Sequence, residues 1–181
     1  SRAGKVRPVA IGECARRLAC SCLVRSRRAQ IESIHLAAKN LAFSADGCST
    51  AQRTVQLLLG ANPSWIVAET DLSSAFQRAA REDILLALFT RHEVLRDFIP
   101  LFKFLYGADA KLFFEDMAEL LSTEGSHQGC PLGGLLFVLS IAGIIEKAQA
   151  AFPEVTIIGL ADDYRFLGEG SAPLDAADMY R

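Results

Sequence analysis

The sequence has few residues that could build a disulfide or zinc framework. Its five cysteines are odd in number, and no leader with a cationic and an apolar part precedes them. Cys20 and Cys22 are separated by one residue, which is wrong for a zinc knuckle, and the three histidines show no ligand spacing. We therefore expect reduced thiols, an intracellular setting in nucleus or cytoplasm, and no zinc.

A long hydrophobic run is also lacking. The most apolar charge-free run, residues 132–145, spans about 14 residues, whereas a membrane-crossing helix needs about 20. We expect this run to be a buried core helix, and we expect no membrane partner. Internal repeats and low-complexity tracts are missing too, so the 181 residues indicate one globular domain or part of one.

Charge is present, but it is distributed unevenly. Hydrophobic residues make up 51% of the chain and charged residues 22%, a composition typical of a folded protein. The net charge of −2 combines a strongly basic stretch, residues 1–30, with an acidic remainder. This pattern is typical of a nucleic-acid contact surface beside a cation site, and equally of a solvated basic helix face.

Periodicity and turn residues predict a mixed α/β fold. The predicted helices cover residues 12–38 with a break at residues 25–28, residues 49 or 50 to 59, residues 73 or 74 to 90, residues 98–106, and a long apolar stretch that begins at Pro131. The predicted strands cover residues 65–70 with Asp71 at the end, 111–114, 119–122, 156–160 and 164–167. Residues 168–173 are predicted to be a loop.

Acidic residues fall at two positions where strands end. Asp71 follows one predicted strand, and Asp162 and Asp163 occupy the predicted turn of a hairpin. Two divalent cations held by shared carboxylates can promote in-line phosphoryl transfer. In that interpretation Asp71 and Asp162 bridge the metals, the Leu72 carbonyl completes a site, and Asp163 assists from the turn. The alternative for Asp162 and Asp163 is ordinary turn chemistry, because aspartate is common in turns.

Five segments, taken in order, resemble reverse transcriptases, most closely those of non-LTR (LINE-like) retrotransposons. The segments are residues 4–11 (GKVRPVAI), similar to the R-P-[IV] finger segment; Phe43 with residues 47–50 (GCST), similar to the segment before the first palm strand; residues 71–76 (DLSSAF), similar to D-[LI]-x-x-A-F; residues 125–132 (GSHQGCPL), similar to G-x-x-Q-G-x-P-L; and residues 160–163 (LADD), similar to [YF]-A-D-D. Together they cover nearly the whole chain.

The resemblance implies an α/β (α+β) polymerase palm, in which a small antiparallel sheet is backed by helices. Residues 1–62 would be a partial fingers subdomain, and residues 63–181 an incomplete palm without a thumb. The implied activity is RNA-directed DNA polymerase, which uses two Mg²⁺ (or Mn²⁺) ions to extend a DNA primer with dNTPs on an RNA template. Other parts of the parent polyprotein would be needed to hold the duplex firmly.

The same resemblance assigns contacts to the incoming nucleotide. Lys5 and Arg7 would hold the triphosphate, because a guanidinium offers forked donors to phosphate oxygens; the alternative is a solvated strand. Phe76 would exclude a ribose 2′-hydroxyl and so favour dNTPs; the alternative is core packing.

Further residues are assigned to the pocket wall and the primer. Gln128 and Gly129 would line the template and nucleotide pocket, because glycine permits close approach and glutamine can hydrogen-bond a base or sugar. The alternative is that they only lead into the helix that starts at Pro131. Leu160, Ala161 and Pro131 would lie near primer and template. Leu160 replaces the family's usual aromatic residue, so no hydroxyl is available to the primer there.

Two other functions are open on the sequence alone. A remnant of a mobile element could keep the fold and bind nucleic acid without catalysis. An RNA-directed RNA polymerase has a similar carboxylate layout, although Phe76 argues against it because RNA synthesis needs room for the 2′-hydroxyl.

Overall fold

The computed structural model describes residues 12–71, 74–113, 119–127 and 129–180, with the backbone alone at Asp71, Glu119 and Leu120. The chain forms two compact units. The first unit comprises Ser1–Arg27 and Ser74–Ser140, and the second comprises Arg28–Ser73 and Ile141–Arg181. The division into fingers at residues 1–62 and palm at residues 63–181 stays a prediction.

The described ranges contain groups of helices separated by single strands or strand pairs. The helices are α1 (Cys14–Ser26), α2 (Arg28–Ala37), α3 (Gly47–Ala61), α4 (Ala75–Arg78), α5 (Arg81–Thr90), a 3-10 helix (Glu93–Phe98), α6 (Ile99–Tyr106), α7 (Gly133–Ala151) and α8 (Ala172–Asp178). The strands are β1 (Trp65–Asp71), β2 (Ala110–Phe113), β3 (Glu119–Ser122), β4 (Thr156–Leu160) and β5 (Asp163–Glu169). The mixed α/β fold with small antiparallel sheets is confirmed.

The second unit is organised around a three-stranded sheet in the order β1-β5-β4. Both pairings are antiparallel, and β5 is the central strand. One face packs on α3, where Ala51 meets Ile158 and Leu167. Helix α8 packs against β5 and β1. Strands β1 and β4 are rich in β-branched and aromatic residues, which favour an extended backbone, and burial of apolar side chains stabilises the unit.

The predicted helix from residue 73 or 74 to residue 90 is wrong, because α4 and α5 are separate helices. Ala79 and Ala80 between them are extended, each with a ψ of 120°. The Ala79 carbonyl is thereby released to accept a hydrogen bond from the Gly125 N–H, at 3.1 Å. A tertiary backbone bond has overridden a local sequence with good helix propensity.

Two predicted helix starts are also displaced. Helix α3 begins at Gly47, after Asp46 in the left-handed region at φ 55°, and not at a serine or threonine cap. Helix α7 begins at Gly133, because Cys130 and Pro131 belong to a turn closed by the Gly133 N–H and the Cys130 carbonyl. Single-sequence signals place such boundaries only to within a few residues.

Within the predicted loop at residues 168–173, only Gly170 and Ser171 form a turn. Gly168 lies in β5, and Pro173 lies in the first turn of α8, where its missing N–H leaves no helical bond unmade. Ser171 donates a hydrogen bond to the Asp175 carboxylate at 3.1 Å. The glycine and proline that suggested a loop mark a strand end and a helix start.

Helix α7 contains the apolar run noted in the sequence. By length and composition alone it could cross a membrane. Half of its most apolar window is buried inside the structure, and residues such as Leu135 and Val138 are fully enclosed. Such burial is typical of a core helix, which passes the same test of length and composition.

Candidate carboxylate site and motif loop

The end of the three-stranded sheet brings the acidic motifs together. In the register of β1 and β5, Asp71 lies directly opposite Asp163, and in the register of β4 and β5, Asp163 lies opposite Leu160. Opposed Cα atoms in antiparallel strands are about 4.5–5.5 Å apart. The strand topology therefore joins two segments that are some ninety residues apart in the sequence.

Asp163 is the first residue of β5. The prediction that it belongs to the turn is therefore wrong. The turn consists of Ala161 and Asp162 alone. Asp162 is half-buried and Asp163 is exposed. Ala161 has a φ of 54°, in the left-handed region that a residue with a Cβ seldom adopts. Such a conformation persists only where surrounding contacts enforce it.

A buried asparagine holds this turn. Asn40 is fully buried, and its side-chain N–H groups donate to the Ala161 carbonyl at 2.8 Å and to the Tyr164 hydroxyl at 3.0 Å. Its side-chain oxygen accepts from the Ala42 N–H at 3.0 Å. The Tyr164 hydroxyl in turn donates to the Ala38 carbonyl at 3.1 Å. Every polar atom of the Asn40 side chain is thus satisfied.

The segment that carries Asn40 is fastened to β4 by its backbone. The Leu41 N–H donates to the Gly159 carbonyl at 2.8 Å, and the Gly159 N–H donates to the Lys39 carbonyl at 2.7 Å. Gly159 is required here, because a Cβ would lie 2.5 Å from the ring of the fully buried Tyr164. Sequence reasoning missed Asn40, Tyr164 and Gly159. No local signal in the sequence links Asn40 to a turn 120 residues away.

The negative charges of Asp162 and Asp163 act on the buried hydroxyl of Tyr180. The Tyr180 ring packs on Tyr164 with centroids 4.9 Å apart, and its hydroxyl has no hydrogen-bond partner within the described ranges. Burial raises the pKa of Tyr180, and Tyr164 and then the charges of Asp162 and Asp163 raise it further. Two carboxylates therefore concentrate negative charge at this end of the sheet.

The chemistry of these donors suits a hard divalent cation. Carboxylate and carbonyl oxygens are the ligands that Mg²⁺ and Mn²⁺ prefer. No group of three ligating side chains occurs among the side chains that the structure describes. The side chain of Asp71 and the whole of Leu72 lie outside that set, so the predicted third carboxylate and the carbonyl ligand stay predictions.

In the first unit, Phe76, the last residue of the 71–76 motif, contacts the 125–132 motif. The Phe76 carbonyl accepts a hydrogen bond from the Ser126 N–H at 2.7 Å, and its half-buried ring packs on Phe137 with centroids 5.1 Å apart. Phe76 therefore packs against the core as its alternative interpretation expected. Its predicted contact with a sugar stays a prediction.

The motif loop, residues 124–130, is anchored by a network of positive and aromatic side chains. Arg81 donates to the carbonyls of Gly125 and Ser122 and to the Ser122 hydroxyl, at 3.0 to 3.1 Å. Arg81 and Arg16 each lie over the Tyr106 ring, about 5.4 to 5.5 Å from its centroid. The Tyr106 hydroxyl accepts from the His127 N–H at 3.3 Å. Sequence reasoning missed this network.

His127 is a neutral member of the same network. Its Nδ1 lies 3.2 Å from the Arg16 guanidinium, which can only donate, so Nδ1 accepts and Nε2–H donates to the Ser122 hydroxyl at 3.1 Å. Burial lowers the pKa of His127, and the charges of Arg16 and Arg81 lower it further. The loop is thus fixed immediately before Gln128, which itself lies outside the described residues.

Solved structures with a similar fold are telomerases. The apo telomerase of Candida tropicalis truncated from its C-terminal domain matches at 10% identity and a TM-score of 0.58, over 91% of this chain and 36% of that chain. The apo telomerase of the same organism matches at 11% identity and a TM-score of 0.59, over 89% and 32%. The telomerase of Candida albicans in complex with a TWJ fragment of telomeric RNA matches at 10% identity and a TM-score of 0.60, over 88% and 31%.

The chain has the fold of these regions of telomerase. This chain spans about a third of the length of those telomerase structures. No protein-family model matches the sequence, and no curated protein matches it. The fold predicted from the motifs is confirmed, while the kinship to non-LTR retrotransposons stays a prediction.

The predicted site residues fall into three groups. Asp71, Leu160, Ala161, Asp162 and Asp163 meet at one end of the sheet in the second unit, whereas Phe76, Gly129 and Pro131 belong to the first unit. Gly129 is exposed with a φ of 144°, a conformation that favours glycine, and Pro131 is half-buried in the turn before α7. Lys5, Arg7, Leu72 and Gln128 lie outside the described residues.

Proposed function

We propose that this chain is part of the catalytic core of an RNA-directed DNA polymerase. The observation that carries the proposal is the register of the sheet, which sets Asp71 opposite Asp163 with Asp162 in the adjoining turn. Carboxylates contributed by two neighbouring strands are the frame that two-metal nucleotidyl transfer requires. The fold supports the proposal, and the activity is assigned to the polypeptide that carries this chain.

In this proposal Asp71 and Asp162 hold two Mg²⁺ or Mn²⁺ ions, the Leu72 carbonyl completes one site, and Asp163 adds negative charge. Bound there, the ions would activate the primer 3′-hydroxyl and stabilise the leaving pyrophosphate. The chain's own task is to fix the carboxylates rigidly, which the β1-β5-β4 sheet does through its backbone ladder. Rigid placement is most of what a protein contributes to phosphoryl transfer.

The nucleotide and template contacts belong to the same proposal. Lys5 and Arg7 would bind the triphosphate, Phe76 would exclude the 2′-hydroxyl, and Gln128 and Gly129 would line the pocket. One telomerase with a similar fold was solved in complex with a fragment of telomeric RNA. That complex supports an RNA template as partner, with a DNA primer and dNTPs as the other substrates. The forms of two motifs, residues 7–9 (RPV) and residues 130–132 (CPL), favour the retrotransposon class of reverse transcriptase.

The test is primer extension on an RNA template by the complete polypeptide with Mg²⁺ or Mn²⁺. Asp162→Asn keeps the shape of the side chain and removes its charge, so we expect extension to fall more than about a hundredfold. Glu154→Gln is the matched control, because Glu154 is an exposed acid two residues before β4, and it should extend like wild type. Unchanged extension by Asp162→Asn contradicts the metal-ligand assignment. If the wild-type protein binds primer and template but extends no primer, the result supports the alternative of a non-catalytic remnant of a mobile element.

The choice between DNA and RNA synthesis depends on Phe76. Phe76→Ala should raise ribonucleotide incorporation relative to deoxynucleotide incorporation by about tenfold, because the bulky ring is the proposed barrier to the 2′-hydroxyl. Phe137→Leu removes the ring on which Phe76 packs and serves as the control for altered packing. Wild-type enzyme that prefers ribonucleotides would instead support the RNA polymerase alternative.

A further inference from the structure

We infer that Asn40 is a positioning residue for the metal-binding turn, because its side-chain amide fixes the Ala161 carbonyl and so sets the direction of Asp162. This inference rests on the proposed function. It assigns a role to a residue that lies in none of the recognised motifs. Asn40 would act through Ala161 and would not itself touch a metal or a nucleotide.

The first step is the geometry of one peptide group. The Ala161 carbonyl and the Asp162 N–H belong to the same planar unit, so a hydrogen bond that fixes the oxygen also fixes the start of Asp162. Asn40 provides that bond at 2.8 Å from a fully buried position. The direction in which Asp162 leaves the turn is therefore tied to Asn40.

The second step is the backbone conformation of the turn. Ala161 is held at a φ of 54° although it has a Cβ, and β4 and β5 fix both ends of the turn. Without a third restraint, Ala161 could relax toward negative φ and rotate the Asp162 peptide. The Asn40 amide is the side-chain contact that the structure shows on this peptide.

The third step is that Asn40 cannot follow such a rotation. Its neighbours Lys39 and Leu41 are bound to Gly159, two residues before Ala161. Its second N–H is bound to Tyr164, one residue after Asp163. The amide therefore joins β4, the turn and β5 at one buried point.

The chemistry of the side chain is specific. Two donors and one acceptor are needed at this point, and an asparagine of this length supplies both. Asn40→Asp keeps the shape but places an acceptor against the Ala161 carbonyl. The expected consequence is a turn that forms but no longer holds Asp162 in one direction.

The test is titration with Mn²⁺ alone, followed by electron paramagnetic resonance of the free ion, on the complete polypeptide. We expect Asn40→Asp to weaken Mn²⁺ binding about tenfold, which is typical for loss of a residue that orients a ligand. Asn62→Asp is the matched control, since Asn62 also donates its amide to a backbone carbonyl in the same unit, that of Leu58 at 2.9 Å. The control should bind Mn²⁺ like wild type.

A second variant separates positioning from general loss of structure. Adding Ala161→Gly to Asn40→Asp removes the steric objection to positive φ, and it should restore part of the lost Mn²⁺ affinity. If Asn40→Asp does not fold, Tyr164→Phe removes only the hydroxyl that Asn40 binds, and a weaker loss of about threefold is expected. The Mg²⁺ concentration for half-maximal extension should rise in the same order.

The outcomes distinguish this inference from the proposed function. If Asp162→Asn loses Mn²⁺ binding while Asn40→Asp and Tyr164→Phe bind like wild type, the positioning role is wrong and the metal site stands. If wild type and Asp162→Asn bind Mn²⁺ equally, both are wrong. Equal losses in Asn40→Asp and Asn62→Asp would also overturn the positioning role, because any amide that donates to a backbone carbonyl would then have the same effect.

Discussion

The turn of Ala161 and Asp162 and the motif loop are both irregular segments, but they are fixed by different kinds of interaction. At the turn, the contacts come from the uncharged, fully buried Asn40 and Tyr164. At the loop, they come from the guanidinium of Arg81 and a neutral His127 beside Arg16. Uncharged buried groups fix one geometry and are insensitive to salt, whereas guanidinium contacts at a part-buried surface are adaptable and weaken as salt rises. The first property suits the proposed metal-binding role of the turn, and the second suits a loop that is proposed to lie beside a changing substrate.

The largest effect is expected at the motif loop, from Gly125→Ala. Gly125 has a φ of 69°, and a Cβ there would lie 2.0 Å from the Gln77 carbonyl oxygen, which is backbone and cannot step aside. We expect a loss of more than about 3 kcal/mol in the free energy of unfolding, measured by urea denaturation with far-UV circular dichroism. Gly170→Ala is the control, since its φ is 66° but nothing lies within 4 Å of its Cβ, and about 1 kcal/mol is expected there. Equal losses would show that backbone conformation alone decides.

Acid should destabilise the second unit through His35. His35 is fully buried, and its ring nitrogens have no hydrogen-bond partner in the described ranges. Burial lowers the pKa of His35 from 6.5 to about 4, and the nearby Asn40 side chain raises it by a smaller amount. Above pH 6.5 the folded and unfolded chains are both neutral at His35, so this stability is fully present. Below pH 6.5 the unfolded chain takes up a proton that the folded chain refuses, so stability falls until about pH 4, by about 3 kcal/mol in total.

The measurement for His35 is the urea midpoint between pH 7 and pH 4, followed by fluorescence of Trp65, the one tryptophan of the chain and a residue of β1. His35→Leu should remove most of the dependence on pH that is seen in this range. A variant with the wild-type pH profile would show that other groups cause the acid sensitivity.

At the turn, Gly159→Ala should lower stability by about 2 kcal/mol. The added Cβ would meet the ring of Tyr164, whose hydroxyl is bound to both Asn40 and Ala38, so the ring cannot move without loss of those bonds. Trp65 fluorescence during urea unfolding measures the change. Gly60→Ala is the control, because Gly60 lies in α3 and nothing lies within 4 Å of an added Cβ. The free energy of unfolding of this variant should rise by about 0.5–1 kcal/mol. No loss in Gly159→Ala would mean that the turn tolerates displacement of Tyr164.

The sequence allowed prediction of the parts of the fold that depend on local patterns. Strand β1 ends at Asp71 as predicted. Trp65, Ile66 and Val67 favour an extended chain, whereas aspartate is disfavoured within strands. The break between α1 and α2 lies within the predicted interval, at Arg27. The third motif was expected near Asp71, and the register sets Asp163 opposite Asp71, although Asp163 belongs to β5 and not to the predicted turn.

What sequence reasoning missed depends on contacts between distant residues. Nothing near Ala79 signals an extended residue, because the cause is a hydrogen bond from Gly125. Asn40 looks like a loop residue until its amide is seen at Ala161. The wrong start of α7 follows the same rule, since Pro131 is acceptable at a first helical turn and only the bond from Gly133 to Cys130 moves the boundary.

The smallest effect, at Arg81, should distinguish the role of its charge from the role of its hydrogen-bond geometry. Arg81→Lys keeps the charge but loses the fork that reaches Gly125 and Ser122 together, so we expect a loss of about 1–2 kcal/mol in urea unfolding followed by circular dichroism. Arg165→Lys is the control, because Arg165 makes an exposed ion pair with Glu69, which contributes less than about 0.5 kcal/mol. A loss at Arg81 that disappears in high salt would make charge the anchor of the loop. A loss that survives high salt would show that geometry matters at the loop as much as at the turn, and the two segments would differ only in which groups provide it.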